Sequence, residues 1–180
     1  MLGTLLGTTI ELRPFTLDDV PAAHAVYSDP EVMRWVGRGA VSTPAATEGM
    51  LRQYIAHQDA HGFAFWAVVD RTSGRVIGDA GLARTIEGEV EMGYTLGRRW
   101  WGGGRATEAA GLWLDAAFRQ LDIPRLRALV EAPNLGSRHV LEKLGFRQDG
   151  STIAFDRVHL VYRLSRTTYA PKADRSDGLT

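Results

Sequence analysis

Cysteine is absent from the 180 residues, which excludes a disulfide framework, a thiolate metal site and a cysteine nucleophile. Net charge is absent too, because 21 acidic and 21 basic residues balance. We therefore expect neither a nucleic-acid nor a membrane partner, and any charged ligand must be held locally. No run reaches the roughly 18 to 20 apolar residues of a membrane span, and the start lacks the pattern of a signal peptide. The sequence predicts a soluble, cytoplasmic protein.

The length and a hydrophobic content of 44% are typical of one domain with a substantial core. We predict a single domain over residues 1–166. The polar, turn-rich residues 167–180 are predicted to form a disordered tail. Composition does not distinguish a monomer from a homodimer.

Hydrophobic periodicity predicts strands and helices in mixed order. Strand patterns occur in "TTIELRPF", "FAFWAVVD", "RVIGDAGLAR", "EVEMGYTL", "RLRALVE", "FRQDGSTIAF" and "RVHLVYRLSR". Helix patterns occur in "TLDDVPAAHAVYSDPEVMRWV", between Thr43 and Gly62, from Ala106 to Leu121, and in "NLGSRHVLEKLG". The three middle strands are predicted to form an antiparallel meander. The fold class is therefore α/β.

The stretch "RRWWGGGRATEAA" joins a predicted strand to the strongest predicted helix through three glycines. Such a junction gathers free backbone N–H groups at the positive end of the helix dipole, which is an anion site. Gly102, Gly103 and Gly104 allow the backbone to approach a phosphate closely. Arg99 and Arg105 are near enough in sequence to add charge. A turn that only reverses the chain is the alternative.

Two common phosphate-binding motifs do not fit this stretch. A P-loop needs a lysine and a serine or threonine, whereas the run continues with Arg105, Ala106 and Thr107 at the wrong spacing. The dinucleotide fingerprint needs a third small residue at Thr107 and a strand that opens a βαβ unit. A nucleoside triphosphatase is disfavoured, and a nicotinamide oxidoreductase is kept as a distant alternative.

The glycine run is similar to the acetyl-CoA diphosphate loop of the GNAT superfamily of N-acetyltransferases, with Arg99, Gly102 and Gly104 on the pattern Q/R-x-x-G-x-G/A. The version "WGGGRATEA" resembles the ribosomal-protein-alanine N-acetyltransferase branch. A second motif, "NLGSRHVLEKLGF", has Asn134 and Ser137 where that branch has N-x-x-S. The resemblance covers roughly residues 8 to 166.

The resemblance implies a GNAT fold: a mixed, mostly antiparallel sheet with helices on both faces, splayed where acetyl-CoA enters. It also implies that acetyl-CoA is the acetyl donor and that the loop from Trp101 to Ala106 binds the diphosphate. No metal is expected, because no spacing among the five histidines suggests a metal site. Backbone N–H groups near the end of the "EVEMGYTL" strand would orient the acetyl group. Asn134 would contact the pantetheine arm or a nearby water, although its position also suits a helix N-cap.

Ser137 is the candidate proton donor to the departing thiolate. Many members of the family have a tyrosine for this role seven residues after the asparagine, where this chain has Leu141. With Gly145 in a left-handed conformation, Phe146 is predicted to pack back on Leu141 in a Schellman ending. Ser137 is then the remaining hydroxyl at the entrance of this helix.

Glu91 and Asp156 are the leading candidates for the general base, with Glu89 and His159 as further possibilities. Glu91 lies between Val90 and Met92, so it is expected on the opposite strand face. Asp156 stands where some ribosomal-protein acetyltransferases have a glutamate, and its shorter side chain leaves the role open. Water is another candidate base.

Arg34 and Trp35 end the first helix pair, in a region that covers the acceptor cleft in related enzymes. Core packing is the alternative for Trp35. The resulting hypothesis is an acyltransferase for groups other than aminoacyl groups, an N-acetyltransferase that uses acetyl-CoA in a ternary complex. The leading acceptor is the N-terminal α-amine of a protein or peptide. The alternatives are a small amine such as an amino acid, polyamine or drug, and a non-catalytic module that binds acetyl-CoA.

Overall fold

The computed structural model describes residues 2–169. Within these residues, eight strands form one sheet in the order β1-β2-β3-β4-β5-β6-β8-β7. The strands are β1 (Leu5–Leu6), β2 (Ile10–Arg13), β3 (Phe65–Asp70), β4 (Arg75–Arg84), β5 (Val90–Leu96), β6 (Arg125–Val130), β7 (Arg147–Ala154) and β8 (Arg157–Ser165). The helices are α1 (Val20–Tyr27), α2 (Pro30–Met33), α3 (Pro44–His61), α4 (Arg105–Arg119) and α5 (Leu135–Lys143). Short 3-10 turns at Leu17–Asp19 and Arg98–Trp100 precede α1 and the glycine run.

The ends of α3 follow the local sequence signals. The Thr43 hydroxyl accepts a hydrogen bond from the backbone N–H of Ala46 at 3.2 Å, and Pro44 takes the first helical position. Gly62 ends the helix with φ of 77°, a left-handed conformation that suits glycine. The predicted start and stop of this helix are confirmed.

Helices cover both faces of the sheet. On β4, the Asp79 carboxylate accepts a hydrogen bond from Tyr27 of α1. The side chain of the next residue, Ala80, shares a face with its ladder partner Trp66, which packs on Trp113 of α4. Because neighbouring strand residues point to opposite faces, α1 and α4 lie on opposite sides of the sheet. Trp113 is fully buried and meets Trp66 of β3 edge to face at 4.9 Å, so these two tryptophans belong to the core.

The sheet is antiparallel except where β5 meets β6. Among the described residues, a single ladder pair, Glu91 with Arg127, joins these two parallel strands. Beyond that pair β5 and β6 separate toward their carboxyl ends, and we call this gap the splay. The glycine run follows β5, and Asn134 follows β6. The predicted mixed sheet, its helices on both faces and the splay are confirmed.

The chain end was predicted to be a tail from residue 167. Tyr169 lies inside that range, where its ring packs against Phe118 at 5.1 Å and its hydroxyl donates to Asp115 at 3.2 Å. Residues 170–180 lie outside the described residues, so the tail prediction stays a prediction there. No helix between residues 2 and 169 has the length and apolar character needed to cross a bilayer.

Candidate active site

The glycine run leaves the first turn of α4 open. Gly102 and Gly104 have φ of 79°, and Gly104 is the N-cap residue without a side-chain cap. A Cβ atom at either position would have nothing within 4 Å, so the space in front of the loop is free. The first N–H groups of a helix have no intrahelical partner, and here no capping side chain takes them. The loop therefore fits an anion such as a diphosphate.

The two arginines beside the loop differ in what they contact. Arg99 is exposed, with its guanidinium over the Trp100 ring at 4.9 Å. Arg105 also lies over Trp100, at 4.8 Å, but it pairs with Asp70 at 3.1 Å, and Asp70 is only 2% exposed. Hydrogen bonds from Ser73 and Arg105 hold the pKa of Asp70 below its usual range. The side chain of Arg105 thus anchors the loop, while Arg99 is available to a ligand.

Trp101 and Ala106 frame the loop. The Trp101 indole donates to the backbone oxygen of Leu96 at 2.7 Å, and its ring is 46% exposed. Ala106 lies in the first turn of α4 and is half-buried. Both residues of the predicted loop are therefore at its surface, one on each side of the glycines.

The second motif forms the start of α5, across the splay from β5. The Asn134 side-chain oxygen accepts a hydrogen bond from the backbone N–H of Ser137 at 3.1 Å, so the N-cap is present. At the other end, Phe146 donates its N–H to the oxygen of Leu141 at 3.0 Å and Gly145 to that of Glu142 at 3.0 Å. This is the predicted Schellman ending, and Leu141 is buried in the core rather than aimed at the cleft.

Ser137 is held by a residue of β5. The Tyr94 hydroxyl lies 3.0 Å from the backbone oxygen of Ser137 and 3.0 Å from its Oγ. Burial raises the pKa of Tyr94, so its phenol is neutral. Val90, Met92 and Tyr94 share one strand face, and that face meets α5 beneath the splay.

Glu91 lies on the opposite face of β5, at the base of the splay. Arg127 donates to it through Nε at 3.0 Å and also pairs with Glu89 at 2.6 Å. Burial raises the pKa of Glu91, although the charges of Arg127 and His159 oppose that shift. His159 is 5% exposed, on β8. Arg163 also pairs with Glu89. A half-buried carboxylate with a raised pKa is suited to accept a proton near neutral pH.

The Phe65 ring lies against the face of β5 that carries Glu91. A Cβ atom on Gly93, two residues along the strand, would lie 2.9 Å from the Phe65 ring, so glycine allows that ring to rest on β5. Phe65 in turn stacks with Tyr54 of α3 at 5.2 Å. The face of β5 that carries Glu91 therefore also carries aromatic rings, two residues along the strand.

Asp156 lies at the tip of the β7–β8 hairpin, with φ of 63°. Its side chain is 80% exposed and pairs with Arg38 Nε at 2.9 Å. The neighbouring Arg157 donates to the backbone oxygen of Arg34 at 2.7 Å and pairs with Glu131 at 2.5 Å. We call the Asp156–Arg38 pair and the Arg157–Arg34 hydrogen bond the tip contact, because they join residues 34–39 to the tip of the hairpin. No hydrogen bond or ion pair within residues 2–169 joins Asp156 to Glu91.

Arg34 and Trp35 belong to the segment that the tip contact holds in place. The Arg34 guanidinium lies over the Trp35 ring at 4.5 Å and pairs with Glu31 at 3.3 Å. Trp35 is half-buried, so it is neither a fully packed core residue nor a free surface ring. The structure therefore places the two predicted acceptor residues together, next to the hairpin tip.

Three residues that hold predicted site residues in place were not predicted from the sequence. They are Tyr94, which contacts Ser137, Arg127, which contacts Glu91, and Asp70, which contacts Arg105. The alternation in "RLRALVE" was a usable signal for Arg127, because it separates the arginines from the buried residues. Tyr94 and Asp70 had no such signal, since their partners Ser137 and Arg105 are remote in sequence. Within the described part of the chain, no group of three or more potential ligands could hold a metal ion.

A family model described as an acetyltransferase (GNAT) domain matches residues 9–147. The uncharacterized N-acetyltransferase p20 of Bacillus licheniformis is 31% identical over 152 residues, 83% of this chain and 85% of that protein. The spermidine N(1)-acetyltransferase of Escherichia coli K12 is 25% identical over 147 residues, 79% of this chain and 75% of that protein.

Similarity to solved structures extends over nearly the whole chain. The ribosomal-protein-S5-alanine acetyltransferase of Vibrio fischeri superposes with a TM-score of 0.77 and 19% identity, over 94% of this chain and 100% of that one. At this identity the likeness concerns the fold alone. Because the matches include a polyamine enzyme and a ribosomal-protein enzyme, they do not single out the predicted ribosomal-protein-alanine branch. The family match, the p20 relative and the splayed sheet show that the chain belongs to the GNAT family of acetyltransferases.

Proposed function

We propose that the protein transfers the acetyl group of acetyl-CoA to the N-terminal α-amine of a protein or peptide. The observation that supports this most is the open, uncapped start of α4 on one side of the splay, with Ser137 on the other side and Glu91 at its base. The loop provides backbone donors for a diphosphate. The hydroxyl and the carboxylate provide an acid and a base.

Acetyl-CoA supplies an activated thioester when it is bound. Gly102, Gly103 and Gly104 let the backbone N–H groups reach the diphosphate, Arg99 adds charge, and Asn134 holds the start of α5. Placing both substrates in one cleft provides much of the rate, since orientation alone can be worth about 7 to 11 kcal/mol. The chain's own groups then need to move only two protons.

Ser137 is proposed as the proton donor to the departing sulfur and Glu91 as the acceptor of the amine proton, directly or through water. Of the two candidate carboxylates, the geometry favours Glu91. It is half-buried with a raised pKa, whereas Asp156 is largely exposed and engaged in the tip contact. We therefore propose that Asp156 orders the segment with Arg34 and Trp35, which lines the acceptor side.

The charge balance on the acceptor side supports a peptide amine. Glu89 and Glu91 both contact Arg127, Glu131 contacts Arg157, and Asp156 contacts Arg38. A polyamine carries several cations and needs several carboxylates to bind them. The four carboxylates named above are already paired with arginines. An α-amine has a pKa of about 8, so about a quarter of it is neutral near pH 7.5, against about 0.1% for an alkyl amine with a pKa of about 10.4.

The small-amine alternative is favoured by the spermidine enzyme among the relatives. The non-catalytic alternative is favoured by Leu141, because this core residue stands in place of the tyrosine expected in many members. One assay separates all three. It measures the release of free CoA with peptides of varied N-terminus, with amino acids and with spermidine.

The proposal predicts a higher kcat/KM for peptides, and no activity with the same peptides after their α-amine has been blocked. Faster turnover of spermidine would favour the small-amine function. Tight binding of acetyl-CoA with no turnover above its hydrolysis would contradict the enzyme.

A further inference from the structure

Tyr94 connects β5 to α5 across the splay, and it does so at Ser137, the proposed proton donor. Its backbone belongs to β5, and its hydroxyl reaches α5, where it lies 3.0 Å from both the carbonyl oxygen and Oγ of Ser137. Asn134 holds the N–H of the same serine at 3.1 Å. Ser137 is therefore held through its N–H, its carbonyl and its hydroxyl.

The proton count of this contact allows two arrangements. A phenol has one proton to donate and lone pairs that accept, whereas the carbonyl only accepts. In one arrangement Tyr94 donates to the Ser137 carbonyl, and the serine hydroxyl donates to the phenolic oxygen. In the other, Tyr94 donates to Oγ, and the serine proton is directed into the cleft. Both keep Oγ in one place, so a small rotation of two hydroxyls moves the serine proton from Tyr94 to the cleft.

Tyr94 is not suited to be the proton source itself. Burial raises its pKa, which opposes formation of a tyrosinate. Its hydroxyl can instead donate a hydrogen bond to Oγ while Ser137 gives its proton to sulfur. The acetyl C–N bond forms and the C–S bond breaks, while the serine O–H bond breaks and an S–H bond forms. The proton that Glu91 takes from the acceptor nitrogen then passes through water to the serine oxygen and restores the hydroxyl. Overall, one proton passes from the amine to the thiol.

We infer that Tyr94 is a positioning residue of this acetyltransferase, which sets the rotamer of Ser137 and stabilises its oxygen as the serine proton leaves. The inference rests on the proposed function of Ser137 as the proton donor. A chain with leucine at position 141 thereby still has a phenol at the proposed proton donor: the phenol comes from β5 and acts through Ser137.

The test is a double-mutant cycle with Tyr94→Phe and Ser137→Ala, measured as kcat with saturating acetyl-CoA and peptide. Tyr94→Phe keeps the ring, so the core stays filled, and thermal melting checks the fold. Loss of one hydrogen bond to the reacting group predicts a fall in kcat of about three- to tenfold, with KM for acetyl-CoA nearly unchanged. Ser137→Ala is expected to lower kcat further. In the Ser137→Ala background, Tyr94→Phe is expected to have no additional effect.

Tyr162→Phe is the matched control. The Tyr162 hydroxyl also bonds to α5: it donates to Glu142 at 2.8 Å and accepts from Arg138 Nε at 3.3 Å, and it makes no hydrogen bond to Ser137. Removal of this hydroxyl loosens the attachment of α5 but leaves the Tyr94–Ser137 contact intact. We therefore expect kcat to stay within about twofold of the parent value.

Four results would overturn the Tyr94 inference: unchanged kcat in Tyr94→Phe, the same factor lost in both backgrounds, an equal loss in Tyr162→Phe, or unchanged kcat in Ser137→Ala. The last result would also remove Ser137 from the proposed mechanism. Failure of the parent protein to turn over acetyl-CoA with any amine would instead contradict the proposed function.

Discussion

In the proposed function, the cofactor side and the acceptor side of the splay recognise their substrates in different ways. On the cofactor side, consecutive residues present bare backbone, and Gly102 and Gly104 leave open space in front of it. On the acceptor side, the lining comes from residues 34–39, β5, β6 and the β7–β8 hairpin, and its carboxylates are paired with arginines. A cofactor common to a whole family can be held by backbone. An acceptor that differs between members must be selected by side chains from separate segments.

The largest effect is expected on the acceptor side, from Glu91→Gln. Removal of a general base commonly costs about a hundredfold or more, so kcat should fall by that order while the affinity for acetyl-CoA is retained. Steady-state kinetics together with calorimetry measure both quantities. A variant with full kcat would show that water, or a neutral amine without a base, is sufficient.

On the cofactor side, Gly104→Val should weaken acetyl-CoA binding by about tenfold or more, since it obstructs backbone donors to a charged group. The φ of 79° also strains any β-branched residue there. Gly62→Val is the matched control, because Gly62 has φ of 77° and equally open surroundings at the far end of α3. Both variants should lose similar thermal stability. Equal affinities for acetyl-CoA, measured by calorimetry, would contradict the assignment of the loop.

The pH dependence of kcat/KM tests the environment of Glu91. A base must be ionised, so activity should fall as the pH decreases through the raised pKa of Glu91. Arg127 lowers that pKa, and its replacement in Arg127→Gln should move the acidic limb to higher pH. A limb that moves to lower pH, or does not move, would assign it to another group.

The smallest effect is expected from Asp156→Asn. The exposed pair with Arg38 contributes little energy, as surface ion pairs generally do. We expect kcat within about twofold of the parent value and at most a modest rise in KM for the peptide. A hundredfold fall in kcat would reverse the assignment of the two carboxylates.

The sequence predicted most of the fold because its signals are local. The caps at Thr43 and Asn134, the left-handed residues at Gly62 and Gly145, and the stripe of α4 are each decided by neighbours in the chain. The uncapped start of α4 after the glycine run was predictable for the same reason, since the strand, the glycines and the helix are consecutive.

Side-chain partners from remote segments were not predictable. Asp70 lies 35 residues from Arg105, and this ion pair, which anchors the loop, was not predicted. Tyr94 lies 43 residues from Ser137. A single sequence gives no measure of such distances, because periodicity assigns a residue to a strand face but does not say what packs on that face.

Binding of acetyl-CoA at the glycine loop and the splay is the step on which every other proposal depends. It is measured by calorimetric titration of the protein with acetyl-CoA and, separately, with NAD(H). We expect saturable one-to-one binding of acetyl-CoA and much weaker binding of NAD(H). Tighter binding of NAD(H), or no binding of acetyl-CoA, would refute acetyl-CoA as the donor.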